Sequence, residues 1–521
     1  MRITKYIPLL LLMMAAVFTA SCGGSEDPQP QEEPAPVLLN TSPENGAGGF
    51  IENSLSIVFT YDQNIRCTAQ GKAGISVDGG ASVASVSAYS TDLTVEVSRL
   101  SRGSKYTVTI PAGAVEGYRT NQKPAEAVTF SFSTKEEEPV PVDPEDPKDW
   151  ENAASAARNM GAGWNLGNTL DSNSGDVNHM WIEGGARTTA DYERAWGQPL
   201  ATRALIHMFK EAGFKSIRVP VTWYPHVGTL TVKSKLLDDN NYHYVLDSWT
   251  GTEIDPVWMA RVKEVVNYVI DEGMYCILNV HHDTGSASTA WLRADEKVYA
   301  AVRDKYCELW RQIATEFESY GPRLIFESFN EMLDANSTWN HSTDAAHEVI
   351  NKYNADFVAT VRATGGKNAY RNLILNTYAA SCDEVALKAF RLPQDTVEGK
   401  LLAEVHSYAP YHFAFDTDHP KTEFDASCET EVTAIIERLN TYLVSKGIPC
   451  VLGEFGADSQ KRSEAELVKQ ARCYVSNAAK YDIPCLYWMT LSNGEDRTVP
   501  KWTKPLLKDA ILKAYNDNKT N

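Results

Sequence analysis

The strongest constraint on the fold is a unit that recurs from residue 149 onward: a helical pattern, a glycine and a short apolar strand. It is clearest in "DPVWMARVKEVVNYVIDEGMYCILNV", where Asp255 suits a helix N-cap, Pro256 the first helical position and Gly273 the helix stop. The same order recurs in "ALIHMFKEAGFKSIRVPV" and "YLVSKGIPCVLGEF". Buried strands that alternate with helices are typical of parallel α/β folds.

Strand candidates of this kind number eight across the segment. They are "GAGWNL", "KSIRVPV", "YCILNV", "RLIFESFN", "NLILNTY", "LLAEVHSY", "PCVLGEF" and "PCLYWMT". Eight buried strands joined by helices predict the α/β class and a (β/α)8 TIM barrel over residues 149–521. A doubly wound open sheet is the alternative. The barrel is favoured because no glycine-rich phosphate-binding turn follows the first strand.

Residues 37–134 have a different pattern, with short alternating strands. Apolar side chains occupy every second position in "SLSIVFTY", "KYTVTI" and "AVTFSFST", and Gly, Asn and Pro separate such segments. This predicts a small all-β sandwich, which resembles bacterial immunoglobulin-like domains. The segment contains no tryptophan and no cluster of histidine and acidic residues. We expect a spacer, with a glycan-binding module as the alternative.

The N-terminus predicts export. Residues 1–21 have a basic start, an apolar run too short to span a bilayer and small residues before Cys22, as in a signal peptide. "FTASC" is similar to a bacterial lipoprotein box with Cys22 as the lipidated residue; a plain secretory signal is the alternative. The acidic, Pro-rich segments 22–36 and 135–148 predict a tether and a linker. We expect an outer-membrane lipoprotein at the cell surface, with no membrane contact except its lipid anchor.

The charge balance limits the partners of the chain. A formal net charge of −19 at pH 7 argues against a nucleic-acid binder and against an acidic polysaccharide as substrate. A neutral substrate is expected. The cysteines after Cys22 have no metal-ligand spacing, and several lie in apolar runs. We expect mostly free, buried thiols, with room for one disulfide because the chain is exported.

Polar and aromatic side chains follow the ends of the predicted strands, where barrel enzymes carry their active sites. Strand two contains Arg218 and leads to Trp223, and strand three ends in His281, His282 and Asp283. Later strands end in Asn330 and Glu331, in His406 and Tyr408, in Glu454 and near Trp488. We expect these residues to converge at the mouth of the barrel.

Two glutamates of this set, Glu331 and Glu454, stand at the ends of strands four and seven. A barrel can bring them face to face, and a carboxylate pair is the equipment of glycoside hydrolysis. Aromatic rings near strand ends offer flat faces to a sugar ring. We expect this role for the tryptophans near strand ends, with barrel packing as the alternative: Trp164, Trp223, Trp291 and Trp488.

The run His281, His282 and Asp283 has a second interpretation as metal ligands. Adjacent residues of a strand point to opposite faces, which disfavours the binding of one ion by both imidazoles. We expect no metal and no other cofactor. His281 is then expected to support the sugar site, and His282 or Asp283 to shape the loop.

Seven segments occur in one order: "GWNLGNTLD", "WGQP", "GFKSIRVPVTW", "ILNVHHD", "FESFNE", "VHSYAP" and "LGEFG". Together they resemble glycoside hydrolase family 5, and especially its fourth subfamily of endo-β-1,4-glucanases and xyloglucanases. The resemblance covers nearly all of the chain from about Ala153 to Tyr515. It implies a (β/α)8 barrel, a retaining mechanism and no metal.

The resemblance also implies roles for individual residues. Glu331 matches the acid/base and Glu454 the nucleophile. The remaining active-site set is matched by Arg218, His281, Asn330, His406, Tyr408 and Trp488. Gln198 in "WGQP", where the subfamily usually has Asn, and the loop "VHSYAPYHFAF" depart from the pattern and leave the sugar subsites open. Retention requires carboxyl groups about 5–5.5 Å apart.

The strand "LIFESFNEML" carries a further carboxylate, Glu327. Alternation places Glu327, Phe329 and Glu331 on one side, with Glu331 at the catalytic end and Glu327 deeper in the barrel. Since a buried carboxylate needs a partner, we expect Glu327 to pair with an inward basic group such as Arg218.

The expected function is retaining, endo-acting hydrolysis of a neutral β-1,4-glucan of plant origin by a monomer. The candidate substrates are xyloglucan, cellulose-type glucan and mixed-linkage glucan. A β-mannanase or glucomannanase on the same scaffold is one alternative. A non-catalytic glycan-capture surface lipoprotein is another, and the presence of both carboxylates argues against it.

Overall fold

The computed structural model describes residues 34–119, 123–136, 142–173, 188–236, 242–340, 342–416, 418–488 and 494–520. The chain divides into two compact units, Met1–Lys135 and Glu136–Asn521. The predicted signal peptide, Cys22, most of the tether 22–36 and part of the linker 135–148 lie outside the described residues. Within the described ranges, no helix has both the length and the apolar character needed to cross a membrane.

The first unit is an antiparallel β structure with one short helix, α1 (Ala69–Gly74). Its strands are β1 (Leu38–Ser42), β2 (Ser54–Tyr61), β3 (Ile65–Cys67), β4 (Ser76–Val77), β5 (Ser82–Tyr89), β6 (Asp92–Ser98), β7 (Lys105–Ile110), β8 (Val115–Gly117) and β9 (Val128–Ser133). They form sheets in the orders β1-β2-β6-β5, β4-β7-β9 and β3-β8. The predicted alternation is confirmed, because Ile57, Phe59, Val108 and Phe130 are fully buried between the strands.

The second unit contains the predicted barrel, closed by eight parallel strands in sequence order. They are β10 (Ala162–Asn165), β11 (Ser216–Val219), β14 (Tyr275–Asn279), β15 (Leu324–Glu327), β16 (Leu373–Ser381), β17 (Leu401–Ser407), β18 (Cys450–Phe455) and β19 (Cys485–Tyr487). Seven lie within one of the eight segments read from the sequence, and β16 starts in its segment, "NLILNTY", and continues to Ser381. The fold class is therefore confirmed.

Helices connect and surround these strands. They are α2 (Ala153–Met160), α3 (Thr189–Glu193), α4 (Arg203–Ala212), α5 (Pro256–Asp271), α6 (Glu296–Glu316), α7 (Asp344–Ala363), α8 (Glu384–Ala389), α9 (Tyr411–Ala414), α10 (Ala426–Tyr442), α11 (Glu464–Ala479) and α12 (Pro505–Asn518). The predicted start of α5 is confirmed: the Asp255 side chain accepts a hydrogen bond from the backbone N–H of Val257.

An antiparallel hairpin, which the sequence analysis did not predict, forms a sheet separate from that of the barrel. Strands β12 (Val227–Leu236) and β13 (Tyr242–Ile254) pair with each other between β11 and α5. Its base is held by Trp249, whose indole N–H donates to the Val227 carbonyl and whose ring lies under the Lys305 ammonium, 3.5 Å from the centroid. Two further short strands, β20 (Glu495–Asp496) and β21 (Lys501–Trp502), pair near the C-terminus.

The interior of the barrel has two layers. The lower layer is apolar and forms one cluster with the buried side of α2: Ile277, Ile325, Ile374, Leu402, Val451 and Leu486. The next layer toward the carboxyl ends of the strands is polar and fully buried: Asn165, Arg218, Asn279, Glu327, Asn376 and Glu404. Because buried polar groups must be paired, this second layer fixes the positions of the side chains above it.

Candidate active site

Arg218 is the centre of the polar layer. Its Nε and Nη2 donate to the two oxygens of Glu327 at 2.7 and 2.8 Å, a bidentate pair. The prediction that Glu327 lies inside the barrel and pairs with Arg218 is confirmed. The predicted position of Phe329 is wrong: β15 ends at Glu327, so the alternation stops there, and Phe329 packs outside the barrel against Tyr353.

The free edge of the guanidinium of Arg218 holds Glu454. Nη1 donates to Glu454 Oε1 at 2.7 Å, and the Tyr408 hydroxyl donates to Oε2 at 2.7 Å. Burial alone would raise the pKa of the Glu454 carboxyl. The nearby His406 and Arg218 and the hydrogen bond from Tyr408 outweigh burial and lower that pKa. Glu454 is thus held ionised and aimed, as a nucleophile requires.

Glu331 lies across the cleft from Glu454. One carboxylate oxygen of each residue and a ring nitrogen of His406 all lie within 4.8 Å of one another. Retaining glycosidases place their carboxyl groups about 5–5.5 Å apart, while inverting enzymes leave room for a water at about 6.5–9.5 Å. Glu331 is the more exposed side chain, 22% against 6% for Glu454. It can therefore reach a leaving-group oxygen and, later, a water molecule.

His406 links the two carboxylates. Its Nδ1 lies 2.8 Å from Glu331 Oε1 and 3.6 Å from Glu454 Oε2, and its Nε2 lies 3.2 Å from Glu404 Oε1. Burial would lower the pKa of the imidazole. The three carboxylates, with Glu454 first, raise it to about 10. His406 is therefore a cation beside both predicted catalytic groups.

Asn330 is fixed with its donor free for substrate. Its Oδ1 accepts from Arg218 Nη2 at 2.9 Å, and its backbone carbonyl accepts from Asn376 Nδ2 at 3.1 Å. Since Oδ1 is used inside the protein, Nδ2 is the group left to meet a sugar hydroxyl in the cleft. Sequence reasoning gave Asn376 no role, although it is an inward polar residue of β16.

His281 and Trp488 form one wall of the cleft. Their rings stack with an interplanar angle of 2° and centroids 5.8 Å apart. Asn279 Nδ2 lies 3.0 Å from His281 Nδ1, and burial lowers the pKa of His281 well below its usual range. His281 is therefore neutral, with its Nε2–H directed away from Asn279.

The premise that His281 and His282 point to opposite faces is wrong. Strand β14 ends at Asn279, and past its end the two rings meet edge to face, 4.5 Å apart. With Asp171 they form a cluster whose ligand atoms lie within 4.8 Å of one another. Asp171, however, already accepts from the backbone N–H groups of Asn168 and Thr169 at 3.0 and 2.7 Å. The expectation of no metal stays a prediction.

Asp283 shapes a loop, as one of the two interpretations proposed. Its oxygens accept from the backbone N–H groups of Trp223 and Tyr224 and from the indole N–H of Trp291. The two backbone bonds tie the loop after β11 to the loop after β14, and the bond from Trp291 lies within the loop after β14. Asp283 is fully buried and does not line the cleft.

Three of the four predicted sugar-binding tryptophans are packing residues. Trp164 is 1% exposed and lies outside the barrel wall against Phe209 and Phe214. Trp223 is fully buried, and Trp291 donates to Asp283 from the core. None of these three rings lines the cleft, whereas Trp488 does, so a sugar-binding role stays a prediction for Trp488 alone.

The cleft itself encloses about 900 Å³ above the two glutamates. Its outer part carries exposed aromatic rings that the sequence analysis missed: Trp339 (46% exposed), Tyr411 (63%) and Phe415 (38%). Trp339 comes from the loop after β15, and Tyr411 and Phe415 come from α9 and the residue after it, past the end of β17. Only their position after strand ends, in segments without a periodic pattern, could have indicated them.

Comparison with known proteins identifies the family. The model of the cellulase family, glycosyl hydrolase family 5, matches residues 176–494, and the model of a bacterial Ig-like domain matches residues 32–134. The chain belongs to glycosyl hydrolase family 5. The resemblance inferred from the seven sequence segments is thereby confirmed, and so is the resemblance of the N-terminal unit.

Relatives of this family 5 enzyme include several endoglucanases. Endoglucanase B of Ruminococcus albus is 36% identical over 74% of this chain and 87% of its own length. Endoglucanase A of Clostridium longisporum is 34% identical over 70% of this chain and 66% of its own length. A solved family 5 enzyme of Prevotella bryantii, a mutant bound to a xyloglucan tetradecasaccharide, is 38% identical. The match covers 70% of this chain and 99% of the Prevotella bryantii chain, with a TM-score of 0.61.

These findings establish the class of the enzyme. The family 5 chain is a glycoside hydrolase of the endoglucanase type. Its barrel carries a carboxylate pair at the carboxyl ends of β15 and β18, where that chemistry needs it.

Proposed function

We propose that this protein is a retaining endo-β-1,4-glucanase that cleaves plant β-glucans, with Glu331 as acid/base and Glu454 as nucleophile. The observation that carries the proposal is the approach of the two carboxylates to within 4.8 Å at the floor of an open cleft. Arg218 and Tyr408 keep Glu454 charged, while Glu331 is the one that solvent and substrate can reach.

The reaction proceeds in two displacements. A Glu454 oxygen attacks the anomeric carbon while Glu331 gives its proton to the departing glycosidic oxygen, which leaves a glycosyl ester on Glu454. Glu331, now ionised, takes a proton from water, and that water oxygen attacks the same carbon and releases Glu454. Asn330 Nδ2 is placed to donate to the sugar 2-hydroxyl, a contact that strengthens in the oxocarbenium-like transition state.

We propose xyloglucan as the preferred backbone among soluble glucans. The support is the similarity to the Prevotella bryantii enzyme bound to a xyloglucan fragment and the volume of the cleft, about 900 Å³. A glucomannanase is the second candidate, because another similar structure joins an endo-β-mannanase to an endo-β-glucanase. A neutral substrate also suits the strongly negative chain.

The test is product analysis on xyloglucan, carboxymethyl cellulose, mixed-linkage glucan and glucomannan. We expect the highest kcat/KM on xyloglucan and a ladder of oligosaccharides early in the reaction, the sign of endo action. A wide preference for glucomannan would overturn the substrate assignment. Glu454→Ala should abolish hydrolysis and leave polysaccharide binding intact; persistent hydrolysis would show that the nucleophile is another residue.

We propose that the enzyme is exported and held at the outer membrane by a lipid on Cys22, and that it works as a monomer. The support is the signal-like segment 1–21 and the box "FTASC". Cys22→Ala should release the protein from the membrane fraction and remove labelling by an alkyne fatty acid. Unchanged labelling would contradict the proposal.

The Ig-like unit, which lacks tryptophan, is proposed as a spacer that lifts the barrel from the surface.

A further inference from the structure

Glu404 is a buried carboxylate to which the mechanism above gives no role. It interrupts the apolar strand "LLAEVHS" of β17, two residues before His406, and so points into the barrel as His406 does. Its side chain has no exposure. A buried carboxylate is costly unless it is paired. Its position in the polar layer therefore calls for a partner.

The contacts of Glu404 are concentrated on one oxygen. Oε1 lies 3.2 Å from His406 Nε2 and 3.4 Å from Arg218 Nε, whereas Oε2 has no hydrogen-bond partner in the described part of the chain. The neighbouring strand makes room for it with Gly453, where a Cβ atom would overlap Glu404 Oε1. Strand β18 thus carries a glycine immediately before Glu454, at the point where Glu404 reaches His406.

The charges around His406 come from several elements. Carboxylates face it from β17 (Glu404), from β18 (Glu454) and from the end of β15 (Glu331). Arg218 Nε lies 3.4 Å from Glu404, and the shortest contacts of Arg218 are with Glu327 and Glu454, both at 2.7 Å. His281, on the far side, is neutral because burial lowers its pKa. His406 is thus the only group facing all three carboxylates among the described residues.

We propose that Glu404 is a positioning residue for the hydrolytic reaction. It binds the Nε2–H of His406, so that the opposite nitrogen presents a proton to Glu331 and Glu454 through both displacements. This inference rests on the proposed function of Glu331 and Glu454 and deepens it.

The contact between His406 and Glu331 determines which oxygen of Glu331 carries the proton that is transferred. The Nδ1–H of His406 lies on Oε1 of Glu331, which leaves Oε2 as the oxygen that carries the transferable proton. When that proton leaves, the imidazolium remains beside the new carboxylate and offsets its charge. The negative charge of Glu404 on the other nitrogen keeps His406 from losing its own proton as pH rises.

The test is ¹⁵N NMR of the histidine rings in the full chain, because ring shifts report protonation at each nitrogen. The His406 signals are assigned by their absence in His406→Gln. In the wild type we expect both ring nitrogens to stay protonated at pH 8. In Glu404→Gln, which keeps the shape and removes the charge, we expect the midpoint of the His406 titration to fall by about one pH unit or more.

A kinetic measurement accompanies the spectroscopy. Without the negative charge of Glu404, neighbouring groups lose their protons at lower pH. The alkaline limb of kcat/KM should therefore move to lower pH in Glu404→Gln, while KM at pH 6 changes little. The matched control is Glu193→Gln, another fully buried carboxylate, whose pair is Arg261. Both variants lose a buried charge, but only Glu404→Gln should alter the His406 signals.

Three outcomes would overturn the inference: an ordinary His406 titration near pH 6.5 in the wild type, unchanged His406 signals in Glu404→Gln, or equal effects in Glu193→Gln. A wild-type titration near pH 6.5 overturns the inference even where Glu404→Gln fails to fold. A failure of the proposed function is distinguishable, because it would appear as absent glucan hydrolysis by the wild type, whereas the NMR titration needs no substrate.

Discussion

An oxygen of Glu331 and an oxygen of Glu454 lie within 4.8 Å of each other, although the residues end strands three positions apart around the barrel. This separation predicts retention of the anomeric configuration. We expect ¹H NMR of early products from a cello-oligosaccharide to show the β-anomer first, before mutarotation. Initial appearance of the α-anomer would contradict the double displacement.

Tyr408→Phe should shift the acid limb of the pH profile upward. Glu454 must be ionised to attack, and its lowered pKa places that limb below its ordinary value of 4.5. The Tyr408 hydroxyl stabilises the charged form, so its loss raises the pKa of Glu454. The kcat/KM profile between pH 3 and 6 measures this. A limb that stays in place would show that Tyr408 does not tune the nucleophile.

The lowered pKa of Glu454 also makes the stability of the fold depend on pH. A carboxylate with a lowered folded pKa stabilises the fold above its unfolded pKa, and that stabilisation is lost as pH falls through the folded value. The free energy of unfolding, measured with urea, should therefore differ less between Tyr408→Phe and the wild type at pH 3 than at pH 6.

Glu327→Gln should destabilise the barrel by about 3–5 kcal/mol, because it leaves Arg218 buried without its bidentate partner. All 12 tryptophans lie within residues 149–521, so tryptophan fluorescence during urea unfolding reports this unit alone. The control is Asp271→Asn, which breaks a half-exposed pair with Arg203 and should cost less than about 1 kcal/mol. Equal losses in the two variants would show that the buried pair is not special.

Trp339→Ala should weaken substrate binding without harming the fold. Its ring is half exposed over the cleft, and the loss of its apolar face should cost about 1–2 kcal/mol, a rise in KM of about 5–30-fold. Trp164→Ala is the contrasting variant and should cost about 3–5 kcal/mol of stability, because its ring fills the core. An unchanged KM for xyloglucan in Trp339→Ala would remove Trp339 from the binding surface.

The barrel could be predicted because its strands are buried on both sides. Continuous apolar runs such as "YCILNV", each followed by a capped helix, leave few alternatives once eight of them occur in order. The hairpin β12–β13 escaped notice for the opposite reason. Its strands, between Val227 and Ile254, are mostly polar and have no continuous apolar segment, so a search for buried runs passes over them.

The site residues that lie on strands could be predicted, whereas those in loops could not. Arg218, Glu327 and Glu454 follow from inward alternation on strands. The same alternation shows why Trp164 was misjudged: its neighbour Asn165 faces inward to Arg218, so Trp164 must face outward. Trp339 stands in a loop whose conformation no periodic pattern describes, and only the structure shows its exposed ring.

The most direct test of the central claim is to trap the glycosyl ester. A 2-deoxy-2-fluoro cellobioside with a good leaving group slows both displacements, the second more than the first, and so accumulates the covalent intermediate. Mass spectrometry of the digested protein should find the sugar on Glu454, in the peptide containing "LGEFG", and no label in Glu454→Gln. A label on Glu331, or turnover with no covalent adduct, would contradict the assignment of nucleophile and acid/base.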